Sequence, residues 1–218
     1  MCTLIVRTGE PLTLMGVRDE FTDRPWEAPG EHWPEHPGVI GGRDLKGGGT
    51  WLAVAPAARR AAALLNGHGR AAPETTRISR GDLALLAVST GDVPDVDLTR
   101  YDPFHLVLAD LTRTRLFSWD GDRLTASGLP EGTSMVVNTG LDPAGDRVLA
   151  HLHRFEGEAD WTEPITDAHS DRPGALIVRH ELPDGRVFAS LSVMRVTLAP
   201  GEAAYEFTDL TARIGSKA

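Results

Sequence analysis

The stretch CTLIVRTGEPLTLMGVRDEF, residues 2–21, decides the fold. Two short runs of aliphatic and β-branched side chains, CTLIVRT and LTLMGV, flank the turn-forming GEP, a pattern that reads as strand, turn, strand. The chain therefore opens with a β-hairpin. Its second strand runs into Arg18, Asp19 and Glu20, which the hairpin returns to the neighbourhood of the chain start. Downstream, TWLAVAP and AAALLN read as two further strands, although their alanines and the Arg59–Arg60 pair leave a helical reading open. Between His105 and Val137, four short segments (HLVLADL, TRLFSWD, DRLTAS, TSMVVN) are separated by turn residues and predict an antiparallel meander. GALIVRHE, RVFASLSV and AAYEFTD add three strands near the end.

Two helices interrupt this series. Ser79 followed by Asp82, with apolar Leu83, Leu86 and Ala87, predicts a helix over about 80–89. PAGDRVLAHLHRFEG predicts an amphipathic helix over about 143–155, with Val148, Leu149 and Leu152 on its apolar face. The interval 21–49 carries Pro25, Pro29, Pro34, Pro37 and two glycine clusters, so it reads as a long loop and a candidate pocket wall. Many antiparallel strands with two helical interruptions predict an α+β layered architecture rather than a parallel α/β sheet. No linker or repeat divides the chain, so residues 1–218 are expected to form a single domain.

Hydrophobic residues make up 41% and charged residues 24% of the 218, which excludes disordered and collagen-like chains. No apolar run is long enough for a membrane span, and the first residues lack the basic leader and apolar run of a signal peptide. The net charge of −9 disfavours binding to a nucleic-acid backbone. A single cysteine can form no internal disulfide, which suits a reducing compartment and predicts a cytoplasmic location.

That cysteine is Cys2, and a small side chain after the initiator is the circumstance in which Met1 is removed. An N-terminal cysteine carries its own base, because an α-amine titrating at about 7.7–8.0 sits beside a thiol titrating at about 8.5. Nucleophile and base then share one residue. The alternative is a small apolar residue in an edge strand. Arg18 could favour the thiolate or hold a substrate carboxylate, and Asp19 could orient the ammonium formed during reaction; a surface ion-pair cluster is the plainer reading of the same residues. GGRDLKGGGTW brings five glycines around Arg43 and Asp44, which would let backbone amides approach a ligand, without the spacing of a P-loop. Trp26, Trp33 and Trp51 fall in or beside this region as packing residues or an apolar wall. Neither His151 and His153, two apart on a predicted helix, nor His32 and His36, in the proline-rich loop, have metal-site spacing, and His32 and His68 remain only as candidate axial haem ligands.

Taken together, Cys2 after Met1, V-RDEF-x-DRP at 17–25, GGRD and GGGTWLAV within 41–54, and Asn66 after AALL resemble the NRDE-motif family, also called the transport-and-Golgi-organisation family. DPFHLVLADL, SMVVN, DRPGALIV and the closing YEF follow in the same order. The family in turn resembles N-terminal-nucleophile hydrolases, which implies a four-layer αββα sandwich. The resemblance implies Cys2 as nucleophile and its freed amine as base, Arg18 and Asp19 flanking it, Asn66 and Asn138 as oxyanion-type donors, and Arg172 as a late arginine before a strand. It implies an amide or ester (acyl) hydrolase needing no cofactor, or alternatively a non-catalytic carrier for haem, acyl-CoA or lipid. The implied partner is accordingly a small acyl substrate or haem. The chain departs from the pattern at Val17, where the family has the Asn of NRDE, at Val137 in place of Ser, and at Gly67–His68 after Asn66.

Overall fold

β1 (Thr3–Arg7) and β2 (Leu12–Phe21) form the expected hairpin, with Thr3 opposite Val17 and Leu4 opposite Gly16. The computed structural model describes residues 3–157 and 161–214. Along β2, Leu12 and Leu14 join one apolar cluster while Met15 and Val17 join another, so both faces of this strand are buried. Within the described residues the strands continue as β3 (Trp26–Gly30), β4 (Ile40–Asp44), β5 (Leu52–Ala55), β6 (Arg60–Asn66), β7 (Phe104–Asp110), β8 (Thr114–Trp119) and β9 (Leu124–Gly128). β10 (Thr133–Val136), β11 (Arg179–Glu181), β12 (Val187–Ala199) and β13 (Glu202–Asp209) complete the set. The α-helices among the described residues are α1 (Gly81–Thr90) and α2 (Asp146–His151).

Among the described residues these strands all pair antiparallel, and one isolated parallel bridge joins Ser170 to Val178. One sheet runs β10-β1-β2-β12, with β11 and β13 both pairing with β12; the other is an unbroken meander from β3 to β9. The two sheets stack face to face: Leu4, Leu14, Val136 and Val196 from one interleave with Leu52, Val54, Ala63 and Val107 from the other. The outer face of the meander, including Ala53, Ala62 and Leu106, is covered by Leu83, Ala84, Ala87 and Val88 of α1. On the outer face of the first sheet, Ile5, Met15 and Val193 pack under Val148, Phe155, Trp161 and Ile177. The architecture is α+β on antiparallel sheets, as the pattern predicts. The helical cover is thin, with helices of ten and six residues supplemented by irregular chain. None of the helices is long and apolar enough to cross a membrane among the described residues.

Several elements differ from the sequence reading. The predicted loop over 21–49 contains β3 and β4; proline is tolerated because β3 is an edge strand with a register shift between Glu27 and Gly30, where Pro29 sits. TWLAVAP and AAALLN are strands, resolving the helical alternative. The meander ends at β9, and β10 crosses to the other sheet to pair with β1. The second predicted helix is only α2 followed by a 3-10 turn over Leu152–Phe155; Leu149, expected on its apolar face, is 67% exposed, whereas Arg147 is buried. Of GALIVRHE only Arg179–Glu181 forms a strand.

Candidate functional site

The end of β2 carries chemistry on both faces because successive strand residues point opposite ways. Asp19 points to the outer face, where its side chain is fully buried. Its Oδ1 accepts a 2.6 Å hydrogen bond from the Ser190 hydroxyl, and its Oδ2 accepts one of 3.1 Å from Arg147 Nη1. Arg147 Nη1 also donates to the Thr3 hydroxyl. Ser190 is itself placed by a bulge in β12: Ser190 opposes Asp19 and Ser192 opposes Arg18, leaving Leu191 as the extra residue. The Ser190 hydroxyl further accepts from the Val178 amide at 2.9 Å, so its donor and acceptor capacities are both used. Burial pushes the Asp19 carboxyl above the ordinary aspartate range, against the opposing pull of Arg147 and Ser190.

Arg18 points the other way, between the sheets. It is 3% exposed, its guanidinium stacks 4.1 Å from the Trp51 ring centroid, and Nη2 lies 4.0 Å from a Glu20 oxygen. Trp51 is fixed by an indole N–H contact of 2.7 Å to the Met194 sulfur and an edge-on Trp26 ring at 6.4 Å. Tryptophan at position 51 is thus the platform for a buried cation as well as a packing residue. In front of it opens a cleft of about 640 Å³, lined on one side by Arg18, Asp19, Trp51 and Asn66 and on the other by the 44–49 loop and residues 77–81.

Two glycine amides of that loop are turned onto Asp44, with the Gly48 amide donating to its carbonyl at 2.7 Å. Asp44 Oδ1 accepts from the Lys46 and Gly47 amides at 2.9 Å each. Its Oδ2 accepts from Arg24 Nη2 at 2.7 Å. Partial burial pushes Asp44 up, but the Arg24 guanidinium and these amides outweigh it and hold the carboxyl below its usual range. Gly49 instead serves close packing, since a Cβ there would lie 2.2 Å from the Gly81 carbonyl carbon.

A second cavity of about 350 Å³ lies on the other side of the Asp19–Arg147 pair, lined by Asn138, Arg147, Arg172, His68 and His180 among others. Asn138 follows β10 in a tight turn in which the Val137 and Gly140 amides exchange hydrogen bonds with each other's carbonyls at 3.0 and 2.8 Å. His105 clamps this turn from the opposite sheet: Nε2 lies 3.1 Å from the Asn138 carbonyl and Nδ1 2.8 Å from the Ser118 hydroxyl. The carbonyl can only accept, so Nε2 carries the proton and Nδ1 accepts from Ser118. Burial holds His105 below the ordinary histidine value, which keeps this neutral tautomer.

The expected site residues thus divide between two neighbouring cavities. Arg18, Asp19 and Asn66 share the larger, Asn138 and Arg172 the smaller, and the Asp19–Arg147 contact joins them. Cys2 lies outside the described residues; its covalent neighbour Thr3 is held by Arg147. Arg147, Ser190 and Trp51 carry the arrangement but were not singled out as site residues by sequence reasoning. The two serines embedded in the otherwise apolar FASLSVM of β12 were the available signal for Ser190. The described lining residues of the larger cleft include no histidine, cysteine, methionine or tyrosine. His32 Nε2 is engaged at 2.8 Å by the Ala28 carbonyl, and His68 lines the smaller cavity.

No curated protein matches the chain. A family model does: that of Transport and Golgi organisation 2 matches residues 1–172, spanning the hairpin, the cleft, the Asn138 turn and Arg147, and the chain belongs to this family.

Proposed function

We propose that the chain, acting as one domain over residues 1–218, is an N-terminal-nucleophile amide or ester (acyl) hydrolase, with Cys2 as nucleophile after removal of Met1. What supports this reading is the buried Arg147–Asp19–Ser190 cluster anchored on Thr3, the residue that follows Cys2, with Asp19 also lining a ligand-sized cleft. A carboxylate held by buried donors at the head of β1 suits the role of orienting an N-terminal ammonium. The two stacked antiparallel sheets with helical cover on both outer faces are compatible with the αββα sandwich of such hydrolases.

In the proposed reaction the Cys2 sulfur attacks the acyl carbon while the α-amine takes the thiol proton. The C–N or C–O bond then breaks, the leaving group departs with that proton, and a thioester remains on Cys2. Water, deprotonated by the same amine, attacks the thioester and releases a carboxylic acid and the thiol. Asn66 and Asn138 side-chain amides approach from the two cavities as donors to the developing oxyanion; such a donor contributes about 2.7–4 kcal/mol in enzymes where one has been removed. Arg18, stacked on Trp51, supplies positive potential favouring the thiolate, and Arg172 lines the acyl side. The reaction as written needs no metal or cofactor and suits a cytoplasmic protein.

Intact mass of protein processed in a cell reads whether Met1 is removed. Turnover of short acyl amides and thioesters then tests the mechanism. The expected result is a processed chain whose activity disappears in Cys2→Ala and when Met1 is retained. Undiminished hydrolysis by Cys2→Ala refutes the mechanism.

A further inference from the structure

We infer that the larger cleft binds a phosphate group through Lys46, Arg77 and Arg80, so that the acyl substrate of the proposed hydrolase carries a phosphate remote from the bond that breaks. The inference rests on that cleft being the substrate site. Its basis is a local inversion of charge. The chain as a whole carries −9, yet five cationic side chains, Arg18, Arg24, Lys46, Arg77 and Arg80, line this cleft against four carboxylates. One of those carboxylates, Asp19, is already matched from behind by Arg147 at 3.1 Å, which leaves the cleft still more positive. Fields of one sign are focused in such clefts, and anionic ligands are drawn into them.

The cations fall into two groups. Arg18 and Arg24 belong to the β2 side, where Arg24 is bound to Asp44 and Arg18 stacks on Trp51. Lys46, Arg77 and Arg80 belong to the opposite rim, on two loops that touch. A Cβ on Gly47, next to Lys46, would lie 2.8 Å from the hydroxyl of Ser79, which stands between Arg77 and Arg80 in the chain. The Thr50 amide donates to the Gly81 carbonyl at 3.0 Å and locks the same two loops together. Arg80 is braced by a 2.7 Å bond to the Pro103 carbonyl. Arg77 is braced by bonds of 2.7 and 3.3 Å to the Ala72 carbonyl and lies 3.2 Å from Asp102, while its side chain stays 38% exposed. A carboxylate is satisfied by a single guanidinium fork. Two braced guanidiniums and an ammonium on one rim match an anion with more oxygens and more charge, which is a phosphate.

The test uses the full chain with Cys2→Ala, so that binding is read without turnover. Titration calorimetry with pyrophosphate is expected to saturate, to weaken steeply as salt is raised, and to weaken by roughly tenfold or more in Lys46→Ala/Arg80→Ala. Arg80→Lys, which keeps the charge, is expected to retain part of the affinity, and an unchanged circular-dichroism spectrum confirms that the variants fold. Acetate at matched ionic strength is expected not to saturate. No saturation by pyrophosphate up to about 10 mM, or equal binding by parent and double variant, overturns the inference. Cosedimentation with phosphatidylcholine vesicles containing phosphatidic acid, lost in the double variant, assigns the phosphate to a lipid headgroup; pyrophosphate binding without cosedimentation assigns it to a soluble ester. Phosphate binding without hydrolysis by the processed chain refutes only the hydrolase, and hydrolysis without phosphate binding refutes only this inference.

Discussion

Replacing Arg147 by methionine isolates the buried pair at the head of β1. Methionine keeps an unbranched apolar stem and removes the guanidinium. In the parent protein that group is 7% exposed, reaches the fully buried Asp19 at 3.1 Å, and holds Thr3. Removing one member of a buried pair costs about 3–5 kcal/mol, because the other charge is left uncompensated in a poorly solvated place. In a chain of this size 1 kcal/mol moves the midpoint by about 2–4 °C, so Tm near neutral pH is expected to fall by roughly 10 °C. The loss carries a signature in pH. Burial already pushes Asp19 above the ordinary aspartate range while Arg147 pulls it down, so removing Arg147 pushes it higher. A group whose folded pKa is raised contributes stability that is fully present below its unfolded value, about 3.9, and is lost as pH rises through the folded value. The Arg147→Met deficit should therefore shrink on acidification, by up to about 1.4 kcal/mol per pH unit between the folded value of Asp19 in the variant and the lower one in the parent. Thermal melts followed by circular dichroism from about pH 8 to about pH 4.5 read both quantities. A variant as stable as its parent near neutrality, or a deficit that is flat with pH, refutes the reasoning. In the double variant Asp19→Leu/Arg147→Met, the charge is gone from both sides, so most of the loss should be recovered; the coupling from the full cycle is expected within about 0.5–3 kcal/mol.

Other expectations follow from single contacts. His105 is held below the ordinary histidine value by burial, so it contributes stability present above about pH 6.5 and lost as pH falls through its folded value; His105→Gln should flatten the acid limb of Tm against pH and speed exchange of the Gly140 amide in the Asn138 turn. Gly49→Ala forces a methyl group to within 2.2 Å of Gly81 backbone and should cost about 3 kcal/mol in urea denaturation. Gly201→Ala, which meets nothing within 4 Å, should stay within about 0.5 kcal/mol of the parent. Trp51→Leu removes the ring 4.1 Å from Arg18 and should cost about 0.5–2 kcal/mol beyond its lost burial, part of which Trp51→Phe retains.

The hairpin was legible because each link in it is local: two apolar, β-branched runs either side of a Gly-Glu-Pro turn settle β1 and β2 without reference to distant chain. The same rules misread 21–49, since proline and glycine abolish a central strand but are compatible with an edge strand, and edge position is a property of the sheet rather than of the segment. β10 was legible as a strand but not as a crossover. Leaving the meander to pair with β1 is settled by which neighbour can cover its two buried faces, and that choice is made in three dimensions.

The same separation explains what was seen of the site. Arg18 and Asp19 were legible because they lie in a recognisable motif next to the chain start, and β2 carries them to opposite faces of one sheet. Arg147 was not, because amphipathic reading of its helix sends a charged residue outward and the carboxylate that justifies its burial is 128 residues away. Leu149 is exposed for the complementary reason: Arg147 and Val148 take the inward positions once Asp19 and Thr3 are underneath. A buried arginine between apolar neighbours is costly unless its partner is fixed. The bulge at Leu191 does that fixing by turning Ser190 toward Asp19, so an irregularity in β12, the hydroxyl it aims and the inward arginine of α2 form one arrangement that holds the first described residue of β1. Thr3 should lose its anchor whenever any one of these three is removed, and Ser190→Ala should therefore lower stability as Arg147→Met does, by the smaller amount, about 1.5–3 kcal/mol, proper to one hydrogen bond to a charged group.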